Sequence, residues 1–320
     1  MINPKNILVT GCAGFIGSNF TRQFQTQFPS TRIIGIDDLS TGRLDALEPA
    51  ILFFKGSILD EKLVEDIFSK HKPEYVFHFA ALPRVSYSVL HPRHTSEVNI
   101  IGTVALLEAS KNHGVKRFIY SSSSSVYGGA KKLPTKESEN SPDPKSPYAV
   151  QKYAGEPFCK NFSDLFGLET VCLRYFNVFG PGQYGDAPYS TVVSAWLESM
   201  YFPKKTKAFI EGDGKQSRDF CYVDNVVSAN ILAMQTKGKM MGEAFNVACG
   251  SRITMNEVKK LIEKYTGKVL DLEKRPVRLG DVKHTLADIS KIKKMLGYRP
   301  KVDFEQGLKN TIAWFESRKK

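Results

Sequence analysis

Over its first 180 residues the chain alternates short apolar runs with amphipathic stretches. Asn6-Ile7-Leu8-Val9-Thr10 is rich in β-branched residues and reads as a buried strand. It passes through Gly11-Cys12-Ala13-Gly14-Phe15-Ile16-Gly17 into a helical pattern that ends near Phe28, where Pro29 stops it. The pattern predicts further strands at 32–36, 51–54, 75–79 and 171–176, with helices at 63–69 and 98–111 between them. Phe118-Ile119-Tyr120 is a strand that runs into five serines, Ser121 to Ser125. Pro147 marks a helix start, because its ring presets the helical angle and its missing amide hydrogen is not needed there. Near-continuous apolar strands separated by helices imply a parallel sheet covered on both faces, an α/β Rossmann-type doubly wound fold. Ligands in such sheets bind beyond the carboxyl ends of the strands, where the polar residues of this chain collect.

After Gly180-Pro181-Gly182 the alternation loosens. Helices are expected at 191–200, 226–235, 255–265, 289–296 and 304–315, mixed with short strands. We therefore expect residues 1–180 to form the Rossmann domain, with later segments returning to it, and residues 181–320 to form mainly a smaller mixed α/β lobe. A cleft should lie between the two.

Composition narrows the classes. The apolar and charged fractions, 42% and 24%, are those of an ordinary globular protein. No apolar run approaches the ~20 residues that span a bilayer. The N-terminus leads straight into a strand, so no signal peptide is expected. The five cysteines are widely spaced, fit a reducing cytoplasm and give no zinc signature; no metal is expected. The net charge of +12 has two readings. One is a solvated basic face with a few arginines for an anionic small molecule. The other is nucleic-acid binding, which added salt would abolish if it were non-specific.

The chemistry begins at the glycine loop. Gly11, Gly14 and Gly17 follow a strand and open a helix, the context in which backbone approaches a pyrophosphate. Asp37 and Asp38 end the second strand, where a carboxylate accepts from an adenosine ribose and repels a 2′-phosphate. This favours NAD over NADP, although Arg43 lies close by. Leu39-Ser40-Thr41-Gly42 can cover the adenosine, and the small Ala80 and Ala81 let a flat cofactor pass. If a helix starts at Pro147, Tyr148 and Lys152 share a face. A phenol beside an ammonium has reason to titrate low, and a facing serine hydroxyl would complete a proton-transfer set for alcohol–ketone interconversion. A Tyr and a Lys four apart also decorate ordinary helix surfaces. His78, within a strand, reads as a packed core histidine.

Taken together, these motifs resemble the extended short-chain dehydrogenase/reductase family, and within it the nucleotide-sugar 4-epimerases, which are isomerases. The resemblance runs over essentially the whole chain: the glycine loop, Asp37, the serines before Val126-Tyr127-Gly128, Tyr148 with Lys152, Arg174-Tyr175-Phe176-Asn177 and Arg218-Asp219-Phe220 fall in the family's order. Ser217 to Tyr222 and Gly280 to Asp288 are most similar to bacterial UDP-N-acetylglucosamine 4-epimerases. The resemblance implies that Tyr148, as phenolate, takes the proton of the sugar 4-hydroxyl while C4 gives a hydride to tightly bound NAD. Lys152 would lower the phenol's pKa and hold the nicotinamide ribose, and Ser123 would bond the same sugar oxygen. The 4-keto sugar then turns and takes the hydride back on its other face. Related dehydratases carry an Asp-Glu pair after the catalytic hydroxyl, and decarboxylating relatives carry a Glu. This chain has Ser124 and Ser125, which suits epimerisation.

The same resemblance assigns the walls. Phe15, Ile16, Ser57, Ile58, Phe79, Asn99, Ser121, Tyr175 and Val178 join the glycine loop and residues 37–42 around NAD. Ser57 stands where the family usually has an Asp reaching the adenine amine. Arg218 and Arg278 would grip the diphosphate, Asn177 and Ser125 the sugar, and Ala208-Phe209-Ile210 the uracil, with Tyr189, Val192 and Asp281 also on the substrate side. Thr285 occupies the position whose bulk decides whether a C2 N-acetyl group fits, and a threonine there implies that it does. His284, beside it, has no evident part in the reaction. Arg84 could bind a uronic-acid carboxylate or a diphosphate oxygen, or face solvent. A UDP-sugar 4-epimerase acting on N-acetylglucosamine and possibly glucose substrates is thus expected. The alternatives are a UDP-glucuronic acid 4-epimerase, a nucleotide-sugar reductase or dehydrogenase with net redox, and a non-catalytic nucleic-acid-binding relative. The family also implies a homodimer, built from the helices near Ile100–Lys111 and Tyr148–Phe166.

Overall fold

Ile7 to Thr10 of β1 (Asn6–Thr10) are buried, as a central parallel strand requires. In the computed structural model, which describes residues 2–83, 85–185, 191–203, 207–276 and 282–319, this strand is the pivot of a parallel sheet. β2 (Arg32–Asp37) and β3 (Leu52–Lys55) extend it on one side. β4 (Tyr75–His78), β5 (Arg117–Ser123) and β6 (Glu169–Tyr175) extend it on the other. Four short strands stand outside: β7 (Val178–Phe179), β8 (Phe209–Glu211), β9 (Ser217–Arg218) and β10 (Cys221–Tyr222). β11 (Met241–Val247) then returns to the sheet and pairs parallel with β6, giving seven strands in the order β11-β6-β5-β4-β1-β2-β3. β12 (Ile253–Thr254) pairs with β9, and β13 (Glu273–Arg275) with β8.

Helices cover both faces, and each face has its own core. α1 (Phe15–Gln27) packs Phe20 and Phe24 on one face. α2 (Glu61–His71) packs Val64, Ile67 and Phe68 on the other. The short α3 (Val85–Leu90) leads to α4 (Pro92–Ser96), a π turn over Glu97–Ile101 and α5 (Gly102–Asn112), so the helix expected at 98–111 starts earlier and carries a wide turn. α6 (Pro147–Phe166) begins as the sequence required: Ser146 caps it, its hydroxyl accepting from Ala149 N at 3.2 Å, with Pro147 in the first turn. α7 (Val192–Tyr201), α9 (Met255–Thr266) and α11 (Phe304–Ser317) build a third core around Trp196, Ile262 and Phe315. α8 (Val223–Gln235) and α10 (Ser290–Leu296) pack back on the α1 face of the sheet. Among the described residues no helix is long and apolar enough to cross a membrane.

The serine run differs from its expected form. Ser121 to Ser123 continue β5, with Ser123 opposite Tyr175 of β6. The chain then tightens into a turn over Ser124–Tyr127, and Ser123 Oγ accepts from Ser125 N at 3.2 Å. Strand pairing thus fixes three of the serines, and a turn presents the other two.

Candidate active site

The carboxyl ends of β1, β2, β4, β5 and β6 open on one cavity of about 1350 Å³. That exceeds the ~300–1,000 Å³ usual for one small ligand and suits two joined end to end.

At one end of the cavity lies the glycine loop. Gly11 has φ +68°, and a Cβ there would stand 2.6 Å from Ala80 N, so no other residue fits. A Cβ on Gly17 would come within 2.1 Å of Gly11 O, which is how α1 packs so tightly on the loop. Gly14 precedes α1 and offers no side-chain cap. The first-turn amides of Phe15, Ile16 and Gly17 therefore face the cavity without a side-chain acceptor, ready for an anion. Asp37 accepts from Ala13 N at 2.9 Å and from Leu39 N at 2.8 Å, with lone pairs remaining for a ribose. Burial raises its pKa, and the two amide bonds pull it partly back. Ser40, Thr41, Ser57, Ile58, Phe79, Ala80 and Ala81 continue the wall. Ser57 Oγ accepts from Leu59 N at 3.1 Å and keeps its own hydrogen to donate. The cradle fits a dinucleotide.

At the middle, Ser123, Tyr148 and Lys152 converge. Ser123 and Tyr148 line the same stretch of wall, near enough for the serine to pull the phenol's pKa down. Lys152 is buried, and its Nζ donates to Ser121 O at 2.8 Å. The expected low-titrating phenol needs correction. Burial pushes Tyr148 up to about 12, against the lowering effect of Ser123, and burial lowers Lys152 to about 7. Withdrawing both groups from water disfavours both charged forms. Ser121 Oγ pairs with Tyr175 Oη at 3.2 Å. Ser125 Oγ, also on the wall, is buried and has no partner among the described residues, so it is available to a ligand hydroxyl. Beneath the serines, Ser122 Oγ donates to Glu156 Oε1 at 2.6 Å, and Glu156 holds Arg174 through two bonds of 2.8 and 2.6 Å.

At the far end, Asn177, Val178, Arg218, His284 and Thr285 line the cavity. Asn177 sits at φ 31°, and its Nδ2 donates to Asp219 O at 2.9 Å and Thr285 Oγ1 at 3.3 Å. Asp219 itself is buried and accepts from Cys249, Gly250 and Ala287 amides at 3.0 to 3.1 Å, tying the segments that carry Arg218 and Thr285. His284 is held by Ser217 Oγ at 2.8 Å.

Several residues assigned by resemblance lie off the wall. Asn99 spends its amide on Leu82 N, Leu82 O and Gln151 Oε1 at 2.8 to 3.1 Å, and stands behind the cofactor side as a clip. Ala208 and Ile210 are buried in the third core, and Phe209 lies under Arg275, 4.0 Å from its ring centroid. Val192 packs on that same core. Leu39 and Gly42 shape the Asp37 loop from behind: Leu39 has φ 61°, and a Cβ on Gly42 would stand 2.7 Å from Asp37 Oδ1. Arg84, Tyr189, Arg278 and Asp281 lie outside the described residues. His78 is a core histidine, bonded to Thr10 at 2.7 Å and Thr103 at 2.9 Å.

Other wall residues had no sequence signal of their own. Gln183 and Tyr184 follow the Gly180-Pro181-Gly182 turn, which marked only a loosening of pattern. Val85, Ser86 and Val89 come from α3, too short for a periodicity to show. Among the described residues no cluster of His, Cys, Asp and Glu could hold a metal ion.

A glycine loop at the first parallel strand, an acid at the end of the second, and a Ser–Tyr–Lys set at one cavity define a dinucleotide-dependent short-chain dehydrogenase/reductase-type protein. The chain belongs to the family described as GDP-mannose 4,6 dehydratase, whose profile matches residues 8–311. It is 36% identical to a UDP-glucose 4-epimerase of Mycolicibacterium smegmatis over 320 residues, covering 97% of this chain and 98% of that one. Its fold matches UDP-glucose 4-epimerase of Thermotoga maritima, solved with UDP-glucose, at a TM-score of 0.92 and 41% identity, over 98% of this chain and 100% of that one. It matches UDP-N-acetylglucosamine 4-epimerase of Methanobrevibacter ruminantium, solved with UDP-N-acetylmuramic acid, at 0.90 and 36% identity, over 99% and 100%. UDP-glucuronic acid 4-epimerase of Bacillus cereus, solved with UDP-glucuronic acid and NAD, matches at 0.86 and 32% identity, over 98% and 99%.

Proposed function

We propose that the chain is an NAD-dependent isomerase, a 4-epimerase of UDP-sugars that accepts UDP-N-acetylglucosamine and its C4 epimer. The observation that carries this reading is the meeting of Ser123, Tyr148 and Lys152 in one cavity with the glycine loop, with Ser124 and Ser125 following the catalytic hydroxyl. The dehydratases of the family need an acid there, and serines cannot serve as one. In this reading residues 1–180, completed by β11, hold NAD, and residues 181–320 hold mainly the nucleotide sugar. NAD, cradled by Gly11 to Gly17 and Asp37, supplies a reversible hydride acceptor. The protein's own groups do the rest. Tyr148 exchanges the proton of the sugar 4-hydroxyl, Ser123 bonds the same oxygen, and Lys152 places a cation beside them when protonated. Arg218 meets the diphosphate as a guanidinium fork.

Substrate choice follows from Thr285. Its hydroxyl is tied to Asn177 and to Asp219 N at 3.1 Å, which fixes a small side chain at the position we assign to the sugar's C2 substituent. Purified protein without added cofactor, incubated with UDP-N-acetylglucosamine, is expected to yield the C4 epimer with no accumulating absorbance at 340 nm. Thr285→Tyr is expected to abolish turnover of the N-acetylated sugar and spare UDP-glucose. No epimer from either UDP-sugar or from UDP-glucuronic acid would overturn the reading, as would net formation of NADH.

The exposed apolar side chains of the π turn and α6, namely Ile101, Val150, Phe158 and Leu165, support a homodimer through these helices. Sedimentation of the purified protein is expected to give twice the chain mass, and Val150→Asp with Phe158→Asp to give the monomer. A monomeric unmodified protein at micromolar concentration would contradict this.

A further inference from the structure

Beyond β7 the chain does not simply return to the second lobe. Residues 181–185 form a strap along the outer side of the cavity. Its start is fixed to α1, where Asn19 Nδ2 donates to Pro181 O at 2.9 Å. Its end is fixed to the second lobe. Gly185 N donates to Glu198 Oε2 at 3.2 Å, and this fully buried carboxylate also holds Arg318 at 2.7 and 3.1 Å. Between these anchors stands Tyr184. Arg318 lies 4.4 Å from its ring centroid, and Trp314 meets it edge-on at 5.3 Å. The ring is thus held in place by the second lobe.

The same ring meets the Rossmann half. Arg43 Cζ lies 4.4 Å from the Tyr184 centroid. Arg43 ends the loop that begins at Asp37, and it is braced on both sides: its amide donates to Ala13 O in the glycine loop at 3.0 Å, and its guanidinium is bidentate to Asp45 at 3.0 and 2.8 Å. Both Arg43 and Tyr184 line the cavity. A braced cation over a braced ring therefore joins the two walls beside Ser40 and Thr41.

We propose that Arg43 and Tyr184 form a latch that holds the dinucleotide in its trough between turnovers, by a cation-on-ring contact between the adenosine-side loop and the strap. The inference rests on the NAD reading above. An enzyme that returns its hydride to the same substrate needs no cofactor exchange, so a contact that slows release carries no kinetic penalty. Arg43 also departs from its usual reading beside a ribose acid. Its guanidinium is bidentate to Asp45 and lies over the Tyr184 ring, and closure is the role we assign to it.

The test is a chase experiment. Protein loaded with radiolabelled NAD is mixed with excess unlabelled NAD, and label retained is followed by rapid gel filtration, independently of turnover. Arg43→Ala is expected to speed release about two- to fivefold, the effect of losing one partly exposed cation–ring contact. Tyr184→Ala, which also removes the wall, is expected to speed it about tenfold or more. Tyr184→Phe keeps the ring and should release at the unmodified rate. The double variant should be no faster than Tyr184→Ala alone. Tyr184→Ala or Arg43→Ala releasing label at the unmodified rate would overturn the latch and leave the NAD reading standing, as would multiplicative effects in the double variant. An unmodified protein that neither carries nor takes up NAD would overturn both. The Arg43 side chain is about half exposed (51%), so its replacement tests the latch even where Tyr184→Ala folds poorly.

Discussion

Replacing Tyr148 with phenylalanine is expected to lower kcat about 10²- to 10⁴-fold, the loss usual when a positioned acid–base is removed. The change deletes one oxygen. Tyr148 N keeps its bond to Ser88 Oγ at 3.0 Å and Ser146 keeps its cap, so the start of α6 is unaltered. UDP-sugar binding should therefore survive, and the loss should fall on kcat with KM little changed. Ser123→Ala removes one hydrogen bond to the reacting oxygen and should cost about tenfold. Turnover by Tyr148→Phe within about tenfold of the unmodified protein would remove Tyr148 from the proton-transfer role.

The buried lysine gives this site a pH signature that can be read without substrate. Lys152 is lowered to about 7 by burial, whereas an unfolded lysine titrates near ~10.4. Between those values the unfolded chain binds more protons than the folded one, so this group makes stability rise with pH from about 7 to about 10.4. Lys152→Met should flatten that rise. A thermal midpoint whose dependence on pH over this window is the same in both proteins would show that Lys152 stays charged in the fold.

The sequence carried the parts of this architecture that are local. β1, the glycine loop and the Ser146-Pro147 helix start each announce themselves within a few residues, because backbone angle and burial are set by near neighbours. β11 does not. Its first four residues are only half-buried, and Gly242, at φ +87°, sits where a Cβ would stand 2.6 Å from Lys160 Cα, so neither alternation nor an apolar run marks the strand. The site divides in the same way. Tyr148 and Lys152 are one turn apart on a helix and can be paired from spacing alone. Asn99 is different: motif order places it at the cofactor, whereas its hydrogen bonds to Leu82 and Gln151, settled by the π turn, place it behind. The Arg43–Tyr184 contact joins positions far apart in the chain that no pattern links.

A second large effect is expected one turn beyond Lys152. Glu156→Ala should destabilise the protein by about 3–5 kcal/mol, because it leaves Arg174 as a buried, uncompensated cation. The pair is sealed, with side-chain exposures of 6% for Arg174 and 7% for Glu156. It is also the centre of a larger network. Arg174 Nη1 donates to Tyr127 Oη at 2.7 Å, Tyr127 donates to Asn246 Oδ1 at 2.7 Å, and Asn246 Nδ2 reaches Thr135 O and Asp288 O at 2.8 and 3.1 Å. One chain of bonds therefore runs from the catalytic helix through the serine turn to β11 and the segment that carries Thr285. Measured as a thermal midpoint, the loss should be about 6 °C or more. The size of the effect comes from the orphaned charge and not from the worth of the pair, so removing both charges as Glu156→Met with Arg174→Met should recover most of the stability. Activity should not return with it. Ser122 donates to Glu156 at 2.6 Å, and without that acceptor the strand end that presents Ser123 loses its anchor to the helix that presents Tyr148. A double variant restored in both stability and kcat would mean that the network holds the fold alone and leaves the catalytic set to position itself.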